Sequence, residues 1–272
     1  MKKTYVITGA TSGIGEALVK RLIKEGNVVF AGYRNNKFSD KLEAIGTIPF
    51  YIDMEYPASI ADAANFIKSK IDKVDTLVNV AGCVVAGVIE EISADKIKNQ
   101  FEVNTFGHLD FTQRLLSLLK SGRIINISSM ASFGIFPFVA PYCASKRALD
   151  ILFNALTLES DIKVVSVKPG VIATPLWDKS IDYNRDTIEK CKNHEKEMKY
   201  MIANARNNGQ NGLNVEKVVD FVLKIDKIKN PKPSYTVGAD AKFAEIISRL
   251  PFDVQNKIIK FGMKRKFNTS KL

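Results

Sequence analysis

Seven short runs rich in β-branched and other apolar residues punctuate the chain, at 4–8, 27–33, 48–53, 76–80, 123–128, 162–167 and 234–237. Each is close to continuously apolar and lacks the polar alternation of a strand with one wet face, so each fits a sheet covered on both sides. Between them lie stretches with apolar residues at helical spacing, among them 13–24, 60–69, 94–119 and 144–158. Strands and helices in alternation predict an α/β fold, a doubly wound parallel sheet whose ligands sit at the carboxyl ends of its strands. With 46% apolar residues in 272, the chain can bury one sizeable core, and a single domain over residues 1–272 is expected.

Two segments depart from this rhythm. Residues 176–212 show no strand pattern and close on the hinge-like run Asn207-Asn208-Gly209-Gln210-Asn211-Gly212. In a compact α/β domain such an insertion reads as a substrate lid, against the plainer reading of a variable surface excursion. Residues 241–272 form a basic amphipathic segment, with Phe243, Ile246, Ile247, Leu250, Phe252, Val254, Ile258, Ile259 and Phe261 among Lys257, Lys260, Lys264, Arg265 and Lys266. It can cover a pocket, pack against a partner subunit or lie on a membrane, and membrane contact ranks last of the three.

The formal net charge is +11, but Lys greatly outnumbers Arg. A DNA reader concentrates Arg for bidentate base contacts, so no nucleic-acid partner is expected. A basic surface also attracts a polyanionic cofactor. Cys83, Cys143 and Cys191 are widely spaced, and His108 and His194 have no second ligand at metal-site spacing, so no metal is expected. The first residues lead directly into an apolar run, so no secretory segment is expected, and no apolar run approaches the ~18 residues of a bilayer span; a cytoplasmic protein is the expectation.

The first strand passes through Thr8-Gly9-Ala10-Thr11-Ser12-Gly13-Ile14-Gly15 straight into an apolar-periodic helix. Glycines there remove Cβ atoms that would hold the backbone away from a pyrophosphate on the helix N-terminus, which predicts a dinucleotide site. Spaced GxxxGxG and not GxGxxG, the turn resembles the TGxxxGIG signature of the short-chain dehydrogenase/reductase family. The resemblance continues through Asp53, Asn79-Val80-Ala81-Gly82, Asn104, Ser129, Tyr142 with Lys146, and Pro169-Gly170 with Thr174. Val80 is a mild departure, since many members carry a second Asn there. The family implies a Rossmann fold, hydride transfer between a nicotinamide and a carbonyl or alcohol, and a homodimer or homotetramer. It assigns Gly9, Thr11, Ser12, Gly13, Ile14 and Gly15 to the cofactor pyrophosphate, Asp53 and Met54 to adenine, and Asn79, Ala81 and Gly82 to the cofactor floor. Pro169, Gly170, Ile172 and Thr174 resemble its nicotinamide-carboxamide clamp.

In NAD binders an acid roughly 20 positions beyond the glycine turn holds the ribose 2′-hydroxyl. Here the second strand ends Gly32-Tyr33-Arg34-Asn35-Asn36-Lys37 with no acid before Asp40. Arg34 suits a 2′-phosphate, so NADP(H) is the expected cofactor.

Carbonyl reduction needs a proton donor at the developing alkoxide and a polar group to hold the oxygen. Tyr142 and Lys146 are four apart on a helix and project from one face, and the ammonium is expected to bring the phenol from its usual pKa of about 10 toward neutrality. Spacing alone does not select this pair, because Tyr33 and Lys37 share it. Thirteen residues before Tyr142, however, stands Ser129, whereas thirteen before Tyr33 stands Lys20. Ser129 is preferred to Ser128 because the family spacing selects it. The resemblance adds for Lys146 a hydrogen bond to the nicotinamide ribose. For Asn104, a residue costly in a helix interior, it adds the task of propping a proton-relaying water.

The Pro- and Gly-broken aromatic stretch 130–139, with Val84, Val85, Leu176 and Trp177, is expected to line an apolar pocket. The expected substrate is an apolar ketone, aldehyde or alcohol, and the C-terminal segment, which resembles tails of the family's steroid- and retinoid-active branch, favours a lipid-like one. The rival from another class is a catalytically idle NADP-binding module acting as a regulatory or interaction protein; the intact set Asn104, Ser129, Tyr142 and Lys146 argues against it.

Overall fold

All seven expected strands form, within a residue or two of the expected bounds, in a computed structural model that describes residues 2–267. They are β1 (Thr4–Ile7), β2 (Val28–Tyr33), β3 (Ile48–Tyr51), β4 (Thr76–Asn79), β5 (Arg123–Ile127), β6 (Lys163–Pro169) and β7 (Ser234–Val237). Every pairing is parallel and the order is β3-β2-β1-β4-β5-β6-β7. The chain winds outward from β1 to β3, then returns to place β4 on the other side of β1. The loops leaving β1 and β4 therefore diverge to opposite faces and open a crevice between them.

Helices cover both faces. The period-two alternation of a strand splits neighbours between them: Ile7, Ala31 and Val78 face one core with Leu18, Leu22, Val219 and Val222, while Val6, Phe30 and Leu77 face the other with Ile60, Ile67, Phe111 and Phe153. The first core packs α1 (Gly13–Lys24) beside α10 (Val215–Asp226), and the second packs α3 (Pro57–Lys68), α5 (Gly107–Leu115) and α6 (Ala140–Glu159). Between β2 and β3 lies the short α2 (Ser39–Ala44).

The stretch expected as one helix over 94–119 is broken. Helix α4 (Ala94–Phe101) widens into a π-turn at Glu102–Phe106 before α5, and a 3₁₀ turn at Leu116–Leu118 ends it. Asn104 sits in the π-turn, the kind of local widening that proteins place at functional sites.

Residues 176–212 hold α7 (Leu176–Tyr183), α8 (Arg185–Lys190) and α9 (Glu195–Asn211) and no strand, as expected. The hinge reading of Asn207 to Gly212 is corrected: α9 runs through Asn211, and the Asn211 side-chain amide donates to Asn207 Oδ1 one turn back at 2.8 Å. The basic C-terminal segment forms α11 (Ala239–Ile247) and α12 (Phe252–Phe267), and its last five residues lie outside the described ones. Among the described residues no helix is long and apolar enough to cross a membrane.

At the amino-terminal end of the sheet, opposite the crevice, the buried Asp226 ties together four elements. Lys3 Nζ donates to it at 2.6 Å, Tyr5 Oη at 2.8 Å and Thr76 Oγ1 at 2.6 Å, and Arg123 Nε lies 3.6 Å away. Burial and the carboxylate together push the Tyr5 phenol well above its ordinary range. Removing one member of a buried charged cluster leaves the others uncompensated. Asp226→Ala should therefore cost about 3 kcal/mol or more in chemical denaturation, with ligand affinity at the far end of the sheet preserved; a loss under about 1 kcal/mol would show the cluster to be solvated and weak.

Candidate active site

A cavity of about 640 Å³ occupies the crevice at the carboxyl ends of β1, β4, β5 and β6. Its floor is set by Thr8, the last residue before the glycine turn, whose Oγ1 accepts from the amides of Val80 at 2.9 Å and Ala81 at 3.2 Å. Buried side chains extend this network along the strand-end loop. His108 Nε2 donates to Ala81 O at 2.8 Å, Gln100 to Cys83 O at 2.8 Å, and Asn104 both donates to Cys83 O and accepts from Cys83 N at 2.9 Å. His108 is held neutral, pushed down to about 4 by burial.

The glycine turn forms one wall. Gly9 adopts φ +64°, and a Cβ there would stand 2.8 Å from the Ala81 amide nitrogen. Gly15 lies under the wall and not on it: its Cβ would meet Gly9 O at 2.2 Å, so it permits the turn without touching a ligand. Thr11, Ser12, Gly13 and Ile14 line the cavity, as do Arg34, Asp53, Met54, Ala81 and Gly82. Asp53 also caps its own turn by accepting from Glu55 N at 3.1 Å. Arg34, 64% exposed, stands 3.6 Å from Glu55, a pairing the sequence reading did not foresee.

Asn79 does not line the cavity. It is buried beneath the strand ends, its Nδ2 donating to Asn126 Oδ1 at 2.9 Å, and so ties β4 to β5. Val85 likewise points into the core and not the pocket, while Val84 lines it.

The catalytic candidates come together on the opposite wall. Ser129 caps a 3₁₀ turn at Met130–Phe133, its Oγ accepting from Ala131 N at 3.1 Å. Tyr142 and Lys146 project from the first turns of α6, and all three line the cavity. Ser128 lines it too, with a buried hydroxyl that finds no partner among the described residues. The other Tyr–Lys pair does not assemble, since Lys37 lies over Phe38 and Lys20 pairs with Glu16 on α1. Asn104 is fully buried behind this wall, bonded to Cys83 and, at 3.0 Å, to Ser145 Oγ. These bonds tie the β4 loop to α6.

The expected electrostatics of the pair need correction. Lys146 Nζ donates to Ile127 O at 3.0 Å and lies 6.0 Å from the centre of the Tyr142 ring. Burial pushes Tyr142 up to about 12, only partly opposed by the Ser129 hydroxyl, and pushes Lys146 down to about 8, partly opposed by Asp150. Low polarity disfavours both charged forms, so near neutral pH the tyrosine is a phenol and the lysine is poised to titrate.

At the end of β6 and just past it, Pro169, Gly170, Ile172 and Thr174 line the cavity. The Asp240 carboxylate fills the space where a Gly170 Cβ would lie and accepts from Val171 N at 2.7 Å, which fixes this turn. Trp177 Nε1 donates to Ile172 O at 2.8 Å and anchors α7 there.

Several lining residues escaped sequence reasoning. Lys179 on α7 reaches across to Ser12 Oγ at 3.0 Å, and Tyr200 and Met201 of α9 meet Met263, Lys266 and Phe267 of α12. Phe138 lines the cavity at φ 69°, a left-handed conformation strained for a bulky side chain. It is held by Gly87 N donating to its carbonyl at 2.8 Å and by Phe267, edge-on with centroids 6.1 Å apart. No periodicity in the sequence brings 138, 200 and 267 together; only the tertiary path does.

The Cys83 thiol lines the cavity but is pushed up to about 11 by burial, which leaves it unreactive at neutral pH. Among the described residues no group of side chains could hold a metal ion.

A model of the short chain dehydrogenase family matches residues 3–185. An NADPH-dependent 3-dehydrocapnine reductase of Ornithobacterium rhinotracheale is 32% identical over 191 residues, which span 64% of this chain and 67% of the relative. An uncharacterised oxidoreductase of Escherichia coli K12 is 30% identical over 267 residues, 95% of this chain and 94% of its own. Among solved structures, a short-chain dehydrogenase from Streptomyces avermitilis superposes with a TM-score of 0.76 at 22% identity, covering 100% of this chain and 99% of that one. A short chain dehydrogenase from Burkholderia cenocepacia in complex with NADP gives 0.74 at 24% identity, covering 95% and 97%.

Proposed function

The chain belongs to the short chain dehydrogenase family, and on that premise we propose that it is an NADPH-dependent reductase of apolar ketones or aldehydes, with Tyr142 as proton donor. The observation that carries this reading is the convergence of Ser129, Tyr142 and Lys146 on one wall of the cavity whose other wall is the glycine turn.

The residues present fit a dinucleotide. The turn leaves no Cβ between Gly9 and the strand-end loop, and Arg34, Lys146 and Lys179 supply cations along one cavity. In this reading Gly9, Thr11, Ser12, Gly13 and Ile14 with Lys179 hold the pyrophosphate, Arg34 the 2′-phosphate, Asp53 and Met54 the adenine, and Pro169, Gly170, Ile172 and Thr174 the carboxamide end. The NADPH-dependent relative and the NADP complex of the Burkholderia protein support that cofactor. When bound, the nicotinamide supplies the hydride.

The chain's own residues do the rest. Ser129 Oγ donates to the substrate carbonyl oxygen and holds it beside Tyr142. Tyr142 Oη then gives its proton to that oxygen as negative charge develops, and a phenol that keeps its proton near neutral pH is suited to this direction. Lys146 holds the ribose and restores the proton; with its pKa depressed to about 8, its acidity lies close to the working pH. Helices α7 to α9 cover the cavity and exclude water through Leu176, Trp177 and Tyr200.

Tyr142→Phe should leave NADPH binding intact by calorimetry and reduce kcat by 10²- to 10⁴-fold on the order of a lost general acid; near-normal turnover would refute the assignment. The reductive kcat/KM should be level below about pH 8 and fall as pH rises through it, because the Lys146 ammonium is lost there while the Tyr142 phenol persists. Lys146→Arg should move that fall to higher pH, and a rate that climbs with pH instead would show that the phenolate is the active form. Arg34→Asp should raise the KM for NADPH about tenfold or more, as expected for a lost charge-assisted contact, with NADH tolerated or improved; equal effects on both cofactors would remove Arg34 from 2′-phosphate recognition.

A further inference from the structure

Four cations line the cavity, Arg34, Lys146, Lys179 and Lys266, against one carboxylate, Asp53. Three of the four have work in the reading above. Lys179 is bonded to Ser12 of the glycine turn, Arg34 stands at the end of β2, and Lys146 lies against the Ile127 carbonyl beside Tyr142. Lys266 is left over, an exposed side chain in the last turn of α12 that lines the same cavity.

Its surroundings are apolar. The ammonium lies 3.9 Å from the centre of the Tyr200 ring, and Tyr200 and Phe138 each meet Phe267 edge to face, at 5.4 and 6.1 Å. Met201 and Met263 complete that wall. No ion pair among the described residues includes Lys266, although its neighbours on the lid and tail do form them, such as Lys199 with Glu195. Lys264 and Arg265 precede it in the same last turn, cations that favour a helix C-terminus. A cation resting on an aromatic face, beside methionines and phenylalanines, complements a molecule with an apolar body and one negative end.

We propose that this end of the cavity is a subsite for the anionic terminus, a carboxylate or similar oxyanion, of an otherwise apolar ketone or aldehyde, with Lys266 as its charge partner. The proposal rests on the reductase reading for the reacting end of the substrate and adds a requirement at a second point of the same cavity. A long apolar chain places its carbonyl at Ser129 and Tyr142 while its charged head is held at Lys266, which fixes orientation as well as affinity.

The test is calorimetric titration of the NADPH-saturated protein with decanoate and with 1-decanol, which share a chain and differ in charge. Decanoate should bind about tenfold tighter, the scale of one charge-assisted hydrogen bond. Lys266→Met should abolish that advantage while leaving 1-decanol unchanged, and Lys266→Arg should keep it. Lys260→Met, on the same helix but outside the cavity, should behave as the wild type. Equal binding of the two probes, or a decanoate advantage that survives Lys266→Met, overturns the proposal. Reduction of 9-oxononanoate and its methyl ester separates the two readings. A lower KM for the carboxylate, lost in Lys266→Met, supports both, whereas no reduction of either together with a Lys266-dependent decanoate preference overturns the reductase reading and leaves the subsite standing.

Discussion

Where the winding reverses, β1 is flanked by β2 on one side and β4 on the other, and the loops leaving β1 and β4 must part. The Thr8 hydroxyl bridges that parting by taking both the Val80 and Ala81 amides. With the β4 loop fixed there, the glycine turn can approach it so closely that a side chain at Gly9 would strike the Ala81 backbone. His108 then bonds the Ala81 carbonyl, and Gln100 and Asn104 the Cys83 backbone, from behind. The pairing is incomplete, since Gln100 Oε1 and His108 Nδ1 are buried with no partner among the described residues, so part of the polarity of this network remains uncompensated.

The second wall follows a different logic. Tyr142 and Lys146 share one face of α6, but the fold sets them in a poorly polar site where each charge is disfavoured. The ammonium is steadied by the Ile127 carbonyl on one side and by the Asp150 charge on the other, and Asp150 in turn pairs with the buried Lys168 at 2.9 Å. The site therefore holds a proton on the phenol and keeps a second one loosely on the lysine.

Much of this was legible in the sequence because the determinants are local. Continuous apolar runs marked all seven strands, the glycine turn and the Tyr142–Lys146 pair each lie within one turn or helix, and the Ser129 spacing spans only the short stretch from the end of β5 to the start of α6. The misreadings arose where tertiary context overrides local pattern. Asn207 to Gly212 has the composition of a loop, yet continues α9 under support from a side-chain bond one turn apart. Asn104 broke an expected helix because its amide is committed to Cys83 and Ser145. Lys179 and Lys266 reach the cavity from segments with no motif, and only the folded path places them.

Phe138 illustrates how such a cavity wall constrains change in the protein. Its left-handed backbone costs on the order of 1–3 kcal/mol, held in place by the Gly87 amide and the edge of Phe267. Glycine or asparagine at this position would relax the backbone and remove the ring that meets the C-terminal helix. Selection for thermal robustness and selection for a well-shaped pocket thus pull position 138 in opposite directions. A laboratory lineage evolved for heat tolerance alone would drift toward the smaller residue and, with it, toward a looser choice of substrates.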